Sequence, residues 1–337
     1  MPIQNYPTVF DCTEMTAAVN KLPALPVYFR RLFEVKGVKT TTVSLDIRKG
    51  RIVLIGDSER NTAPESLAGR GAKREWMHLS CAHLAMSDTL APEDLQDVRA
   101  FGSTEPISVA EVYNDKMQQL KDNMTATMEF HRLGAIKGVV LDANGTTVLH
   151  DIFNTFGVTK KKMDISFPKT AADDANPILT SILNAKRHVE AAMGGTPFDH
   201  IECIIGSDAY DMLTSHKLVR EYFERWLSNR SNFGDNDYRK RGFPYGGLTF
   251  VERSDVVGGK TMVDAKKGHV YPVGPGIFKQ YHAPADWMET VNTMGLEYYA
   301  RMDLKEKGRG IDIEVQSNPL TLCTFPEALI ELNFKAA

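Results

Sequence analysis

The sequence predicts an α+β protein, and three stretches carry that expectation. A long amphipathic helix begins at Ser108, a β-hairpin is marked by Asn144-Gly145, and a helix–strand–helix run followed by short apolar strands occupies residues 176–273. With 337 residues and 42% hydrophobic content, the chain is long enough for two or three compact lobes.

Charge and cysteine usage narrow the function classes. A formal charge of −3 leaves no basic footprint for reading nucleic-acid sequence and no polybasic membrane anchor. Cys12, Cys81, Cys203 and Cys323 lie far apart, without a CxxC or a nearby His at zinc-finger spacing, so each is expected to act as a small hydrophobe. No stretch reaches the ~18 apolar residues of a membrane span, and the first residues lack a secretory pattern. Synthesis in a reducing cytosol is the expectation.

Taken in order, residues 1–37 read as an arm with little core of its own. Pro2, Pro7, Pro23 and Pro26 interrupt it, while Tyr28, Phe29, Leu32, Phe33 and Val35 are anchors that need another surface. Val43, Leu45 and Ile47 alternate with Thr42, Ser44 and Asp46, the period of a half-buried strand. Residues 52–55 and 76–86 read as further strands. Between those two lies a loop of about twenty residues, 56–75, with Arg60, Arg70, Lys73 and Arg74. A loop that long is commonly a binding element, and a two-stranded ribbon needs a neighbour to stabilise it.

Pro92 starts a short helix with Glu93 and Asp94 in its first turn. Ser108 and Glu111 form a capping box, after which Val109, Val112, Tyr113, Met117, Leu120, Met124 and Met128 share a helix face. Asp115, Lys116, Gln119, Lys121 and Asp122 are assigned to the wet face, and Gly134 with Gly138 to the helix end. Residues 139–141 and 146–149 flank the turn at Asn144-Gly145. Lys160, Lys161 and Lys162 read as protection of a strand edge before the strand 163–167.

Asn176 caps a helix with Pro177 at its first position, and Gly194-Gly195 ends it. A buried strand at 201–205 leads to Ser207, the expected cap of the next helix. Leu218, Val219, Tyr222, Phe223, Trp226 and Leu227 form a stripe assigned to core. Strands are expected at 248–252, 262–264 and 269–273, and alternation at Ile311, Ile313 and Val315 marks one more.

Two motifs imitate catalytic sites. Gly56-Asp57-Ser58 ends an apolar run as in GDS-type esterases, and Gly234-Asp235-Asn236-Asp237 fits a second block of that pattern. A serine nucleophile needs a base, and no His follows an Asp by three residues. Residues 254–261 approach a phosphate-binding loop, but a strand rather than a helix is expected after them. His131 and His150 are assigned to the surface. The residues alone leave two classes open: a self-assembling structural protein, whose arm and ribbon suit a multimer, and an esterase.

Five strings decide between them. HLAMSDTLAPEDLQDVRAFG (83–102), GAIKGVVLDANGTTVLHDIFNTFGV (134–158), FPYGGLTFVE (243–252), YPVGPGIFKQYHAPADWMETVNTMG (271–295) and IDIEVQSNPLTLCTFPEAL (311–329) resemble, in order, the major capsid proteins of lambda-like tailed bacteriophages, the lambda E protein family. The resemblance spans about 22–332 and is weakest over the first twenty residues and 229–240. It implies the Hong Kong 97-like phage major capsid protein fold: N-terminal arm 1–37, E-loop 38–91, peripheral domain 92–175 with spine helix 108–133, axial domain 176–297, and a return to the peripheral domain at 298–337.

The implied function is self-assembly into the icosahedral head shell enclosing a dsDNA genome, with ribbon and arm lying across neighbouring subunits. The implied partners are copies of the chain itself in hexamers and pentamers, with scaffolding, portal and decoration proteins, and no membrane. No enzyme activity, catalytic residue, cofactor or metal site is expected. An encapsulin-like compartment is the same-fold alternative.

Overall fold

The computed structural model describes residues 12–23, 27–49, 73–96, 108–168, 176–228, 238–257 and 259–336. The readings placed on 1–11, 52–55, 56–72, 97–107, 171–175 and 229–237, Ser58 and the Gly234–Asp237 block among them, lie outside these residues.

The first part of the chain forms helix α1 (Cys12–Lys21), strands β1 (Phe33–Gly37), β2 (Thr42–Lys49), β3 (Lys73–Ser80) and β4 (Leu84–Leu90), then the long helix α2 (Val109–Lys137). Strands β5 (Val139–Leu141) and β6 (Val148–Asp151), helix α3 (Ile152–Phe156), β7 (Lys161–Phe167), α4 (Pro177–Met193), β8 (His200–Ile205), α5 (Ser207–Ser215) and α6 (Lys217–Ser228) follow. Next come α7 (Tyr238–Arg241), β9 (Phe243–Tyr245), β10 (Leu248–Glu252), β11 (Val256–Val257), β12 (Lys260–Thr261), β13 (Lys267–Val273) and β14 (Phe278–His282). The last strands are β15 (Tyr299–Leu304), β16 (Ile311–Ser317), β17 (Pro319–Cys323) and β18 (Ile330–Ala336).

The chain divides into two compact units. One comprises Met1–Ser44, His78–Arg132 and Lys279–Thr321, the other Leu45–Met77, Leu133–Phe278 and Leu322–Ala337. In the first, β15, β16 and β4 form an antiparallel sheet, with Ala300 opposite Val315 and Val315 opposite Met86. Met117, Leu120, Met124 and Met128 of α2 pack with Tyr298, Ala300, Ile313 and Val315, and Met15 and Val19 of α1 complete that core. The arm therefore finds its surface on its own chain. Phe29 is fully buried and its N–H donates to Glu129 Oε1 at 2.6 Å, so α1 and the residues around Phe29 pack on their own subunit.

The second unit holds a six-stranded sheet in the order β7-β18-β13-β8-β10-β9. β18 runs parallel to β7 (Leu332 opposite Met163) and antiparallel to β13 (Leu332 opposite Gly268), while β10 runs parallel to β8. Helix α4 buries Ile178, Ile182, Ala185, Val189 and Met193, its start fixed by the Asn176 side chain accepting from Leu179 N–H at 3.0 Å. Edge strand β7 leaves Lys161 and Lys162 exposed, consistent with lysines guarding an edge.

Several local expectations are corrected. The helix expected over 108–133 continues through Gly134 and ends at Gly138, whose φ of 81° is the left-handed turn that closes it. Gly134 serves another purpose: a Cβ there would stand 2.8 Å from Val140 Cα, so the glycine lets the hairpin cross the helix. Thr146 and Thr147 belong to the turn, where Asn144 Oδ1 accepts from both of their N–H groups. The strand expected over 76–86 is two, β3 and β4. Residues 262–264 are bends after β12, and Gly206 rather than Ser207 precedes α5 as its cap. The aromatic stripe of α6 is only half core: Phe223 and Trp226 pack on Phe243 at 5.0 and 5.4 Å, but three-residue edge strand β9 leaves Tyr222 48% exposed.

Gly134→Ala tests the crossing. Alanine gains about 1 kcal/mol of helix propensity, yet the 2.8 Å contact forces backbone apart, so a net loss of roughly 2 kcal/mol is expected in urea unfolding. A stabilised variant would contradict it.

Candidate functional site

The polar groups buried beside α2 are the place to look for chemistry, because burying them has a cost that function or structure must offset. From Met117 onward the wet face of the helix narrows to a stripe that includes Gln118, Gln119, Asp122, Asn123 and Thr127. Lys121, Thr125, Glu129, His131 and Arg132 are all buried, against the expectation that Lys121 and His131 face solvent.

Lys121 Nζ donates to Val19 O at 2.8 Å and Leu22 O at 2.6 Å. These are carbonyls that the end of α1 leaves without helical partners, so the ammonium caps that helix. It also lies 5.1 Å from the centroid of the Tyr298 ring, a cation–π contact. Burial lowers its pKa, opposed by Glu297 and Asp122.

Arg132 is fully buried and spreads its guanidinium over three partners. Nε donates to Gln280 Oε1 at 2.8 Å, one terminal nitrogen lies 3.3 Å from Glu129 Oε2, and the other lies 3.6 Å from Glu297 Oε1. Arg30 also pairs with Glu297. With its oxygen taken by Arg132, Gln280 turns its amide nitrogen to His282 Nε2 at 2.9 Å, which must then accept. That requires a neutral imidazole. Burial first, then Arg132 and Arg30, pushes the His282 pKa down to about 3, in agreement.

Neither cluster is arranged for catalysis. Both consist of charges engaged with carbonyls, amides and each other, although one terminal nitrogen of Arg132 and His282 Nδ1 are buried without a hydrogen-bond partner, and neither cluster sets a serine or cysteine beside a base. In the other unit Glu202 accepts from Tyr271 Oη at 2.8 Å and meets His200 Nε2 at 3.0 Å, a satisfied carboxylate on strand β8. His269 is buried there, its pKa driven well below the ordinary value by burial and by Lys137, Lys160 and Lys267. Burial also lowers Lys137 to about 8, and its ammonium donates to Met262 O.

The remaining candidates are placed as follows. All four cysteines are free, and burial raises Cys81 to about 11 and Cys323 to about 12, so these thiols stay protonated and unreactive. The phosphate-loop imitation at 254–261 is the β11–β12 hairpin, with Val256 opposite Thr261, and opens no helix. Among the described residues no cluster of His, Cys, Asp or Glu could hold a metal ion, and no helix is long and apolar enough to cross a membrane. Sequence reasoning missed the Arg132–Gln280–His282 set because Arg132 lies 148 residues before Gln280.

Comparison with known proteins bears on what this framework is for. The family model described as phage major capsid protein E matches residues 11–334. The chain is 25% identical over 353 residues to the major capsid protein of Pseudomonas phage KPP10, covering 98% of each chain. It is also 25% identical over 362 residues to that of Salmonella phage Felix O1, covering 97% of each. Among solved structures, the putative capsid protein of a prophage of E. coli CFT073 aligns with a TM-score of 0.57 at 12% identity, over 97% of this chain and 99% of that one. The capsid of Ralstonia phage GP4 gives a TM-score of 0.55 at 12% identity, over 92% and 91%.

The buried histidine sets a pH dependence. Its native pKa lies below the ordinary 6.5, so between pH 6.5 and about 3 the unfolded chain binds the proton that the native one refuses. The stability contributed by neutral His282 is complete above pH 6.5 and is lost as pH falls toward 3. Urea midpoints of the soluble subunit should fall over that window, and His282→Gln, which keeps an acceptor for Gln280, should flatten the slope. An unchanged slope in that variant would refute the assignment.

Proposed function

We propose, because this chain belongs to the phage major capsid protein E family, that its copies close a head shell by laying the ribbon of each subunit across its neighbours. The chain is a major capsid protein of a tailed phage and part of the virion shell, and its fold is the Hong Kong 97-type α+β capsid fold. The observation that carries the reading is the family match over residues 11–334.

In this reading residues 38–91 are the E-loop. The β2–β3 ladder fits it, being a two-stranded sheet of its own that gains stability when another surface covers it. Residues 92–175 are the peripheral domain and 176–297 the axial domain, whose sheet strands and helices α4 to α6 would surround the capsomer centre. The return to the peripheral part, expected over 298–337, is proposed for 298–321 only, because β18 (Ile330–Ala336) lies in the six-stranded sheet with β8, β10 and β13 of the axial segment. Each intersubunit contact is weak alone, and closure makes the set collectively stable. The near-neutral charge of −3 suits a container that encloses dsDNA without gripping it. Hexamers and pentamers of the chain, with scaffolding and portal proteins and a decoration protein, are the proposed partners, and the role is structural rather than enzymatic.

Deleting residues 56–75 is expected to leave a folded, soluble subunit that forms no shells, seen by negative-stain microscopy beside the intact chain. Normal particles from the deletion would sink the ribbon's role. An intact chain that stays monomeric under all assembly conditions would sink the shell reading itself.

A further inference from the structure

Strand β15 carries an unusual surface at each end. Before it, residues 286–296 form an irregular loop with a firmly held backbone. Thr290 Oγ1 donates to Ala285 O at 2.7 Å, Thr293 Oγ1 to Thr290 O at 2.7 Å, Asp286 N–H to Gln316 Oε1 at 3.1 Å, and Leu296 N–H to Tyr299 Oη at 2.9 Å. Gly295 N–H donates to Val38 O at 2.9 Å, and any Cβ on that glycine would strike His282 O. Yet this fixed loop turns Met288 (91% exposed), Val291 (56%), Met294 (55%) and Leu296 (46%) to solvent. Apolar side chains on a tethered backbone cannot collapse inward, so only another surface can cover them.

After β15, residues 305–310 form a tight tip. Lys305 N–H donates to Gly310 O at 2.9 Å, and Lys307 and Arg309 are exposed beside Leu304, itself 39% exposed. The two ends are opposite in charge. The loop carries Asp286 and Glu289, and the nearby cation Arg301 is already paired with Asp303 at 3.0 Å. At the tip Lys305 pairs with Asp312, leaving two exposed cations, Lys307 and Arg309, against the single carboxylate of Glu306.

Backbone strain marks the same two places. Among the described residues the non-glycine residues with left-handed backbone are Asn292 and Lys307, each with φ of 61°, one in the loop and one at the tip. Such strain gathers where a surface must hold a set shape.

We infer that the two ends of β15 are the two halves of a head-to-tail contact between copies of this chain. The basic tip of one subunit, with Lys307, Arg309 and Leu304, seats on the acid-rimmed apolar loop of the next, over Met288, Val291 and Met294. A contact whose two halves differ repeats by rotation and closes rings rather than pairs. Four side chains and a tip bury far less than the roughly 1,200 Å² of a stable two-body interface, so the contact holds only inside a larger assembly. The inference rests on the shell reading and adds to it which surfaces meet.

The test uses the full chain in charge-reversed forms: Asp286→Lys with Glu289→Lys, Lys307→Glu with Arg309→Glu, and all four together. Each pair alone should lower particle yield about tenfold or more, with circular dichroism and thermal midpoint unchanged, and the fourfold variant should recover it. Separately, Met288→Cys combined with Lys307→Cys should give disulfide-linked ladders of the chain in particles, absent from either single variant. Undiminished yield from either reversal, no recovery in a folded fourfold variant, or particles without the cross-link would overturn the contact while leaving the shell intact. Cross-linking of Met288→Cys to a different protein would overturn it as well. Absence of particles from the unaltered chain would remove the shell reading, and this contact with it.

Discussion

A helix that buries charged side chains along most of its girth, leaving one wet stripe, governs the first unit. Beyond Met117, α2 cannot turn Lys121, Glu129 and Arg132 to water, so each must find a partner whose position is then fixed. Lys121 takes the last turn of α1, Glu129 takes the N–H of Phe29, and Arg132 takes Gln280 of β14. Three segments remote in sequence are thereby registered on one rod. Methionine-rich packing alone would tolerate sliding, because thioethers adapt to many arrangements. The charges do not, so the core supplies most of the stabilisation and the polar contacts choose among packings.

This division of labour suits a wall. A subunit that transmits load between neighbours needs a rigid frame and cheap, repeated outer contacts. The frame shows in the buried caps and ion pairs of α2. The outer contacts must be weak, since an early mistake that could not be undone would leave a malformed particle. The contact proposed at the ends of β15, small and apolar with a charged rim, would meet that need, because water competes with each copy singly and not with all at once.

What the sequence made legible was local. Ser108 and Glu111 exchange hydrogen bonds at 3.1 and 3.2 Å as a capping box must, and Asn176-Pro177 and Gly194 bound α4 as their backbone chemistry dictates. The ordered family strings carried the fold. What failed was whatever a distant segment decides. Gly134 looks like a stop but exists for Val140 crossing above it, and Lys121 looks wet because its partner, the end of α1, lies about a hundred positions earlier. The stripe on α6 was over-read for a related cause: periodicity tells which face is apolar, not how much strand is available to cover it. No reaction centre was expected from the sequence, and the buried polar set that the structure reveals is made of residues no linear motif could join.

The position of β18 has a consequence for biogenesis. Residues 330–336 lie inside the six-stranded sheet, and β7 is joined to the rest of that sheet only through them. A nascent chain on the ribosome can form α4 and β8 early, but β7 cannot join this sheet until β18, more than 160 residues later, has emerged, a long-range closure that is intrinsically slow. Loss of these residues would strand β7 and bare the flank of β13, so damage to this one segment would reach two others that are intact in themselves.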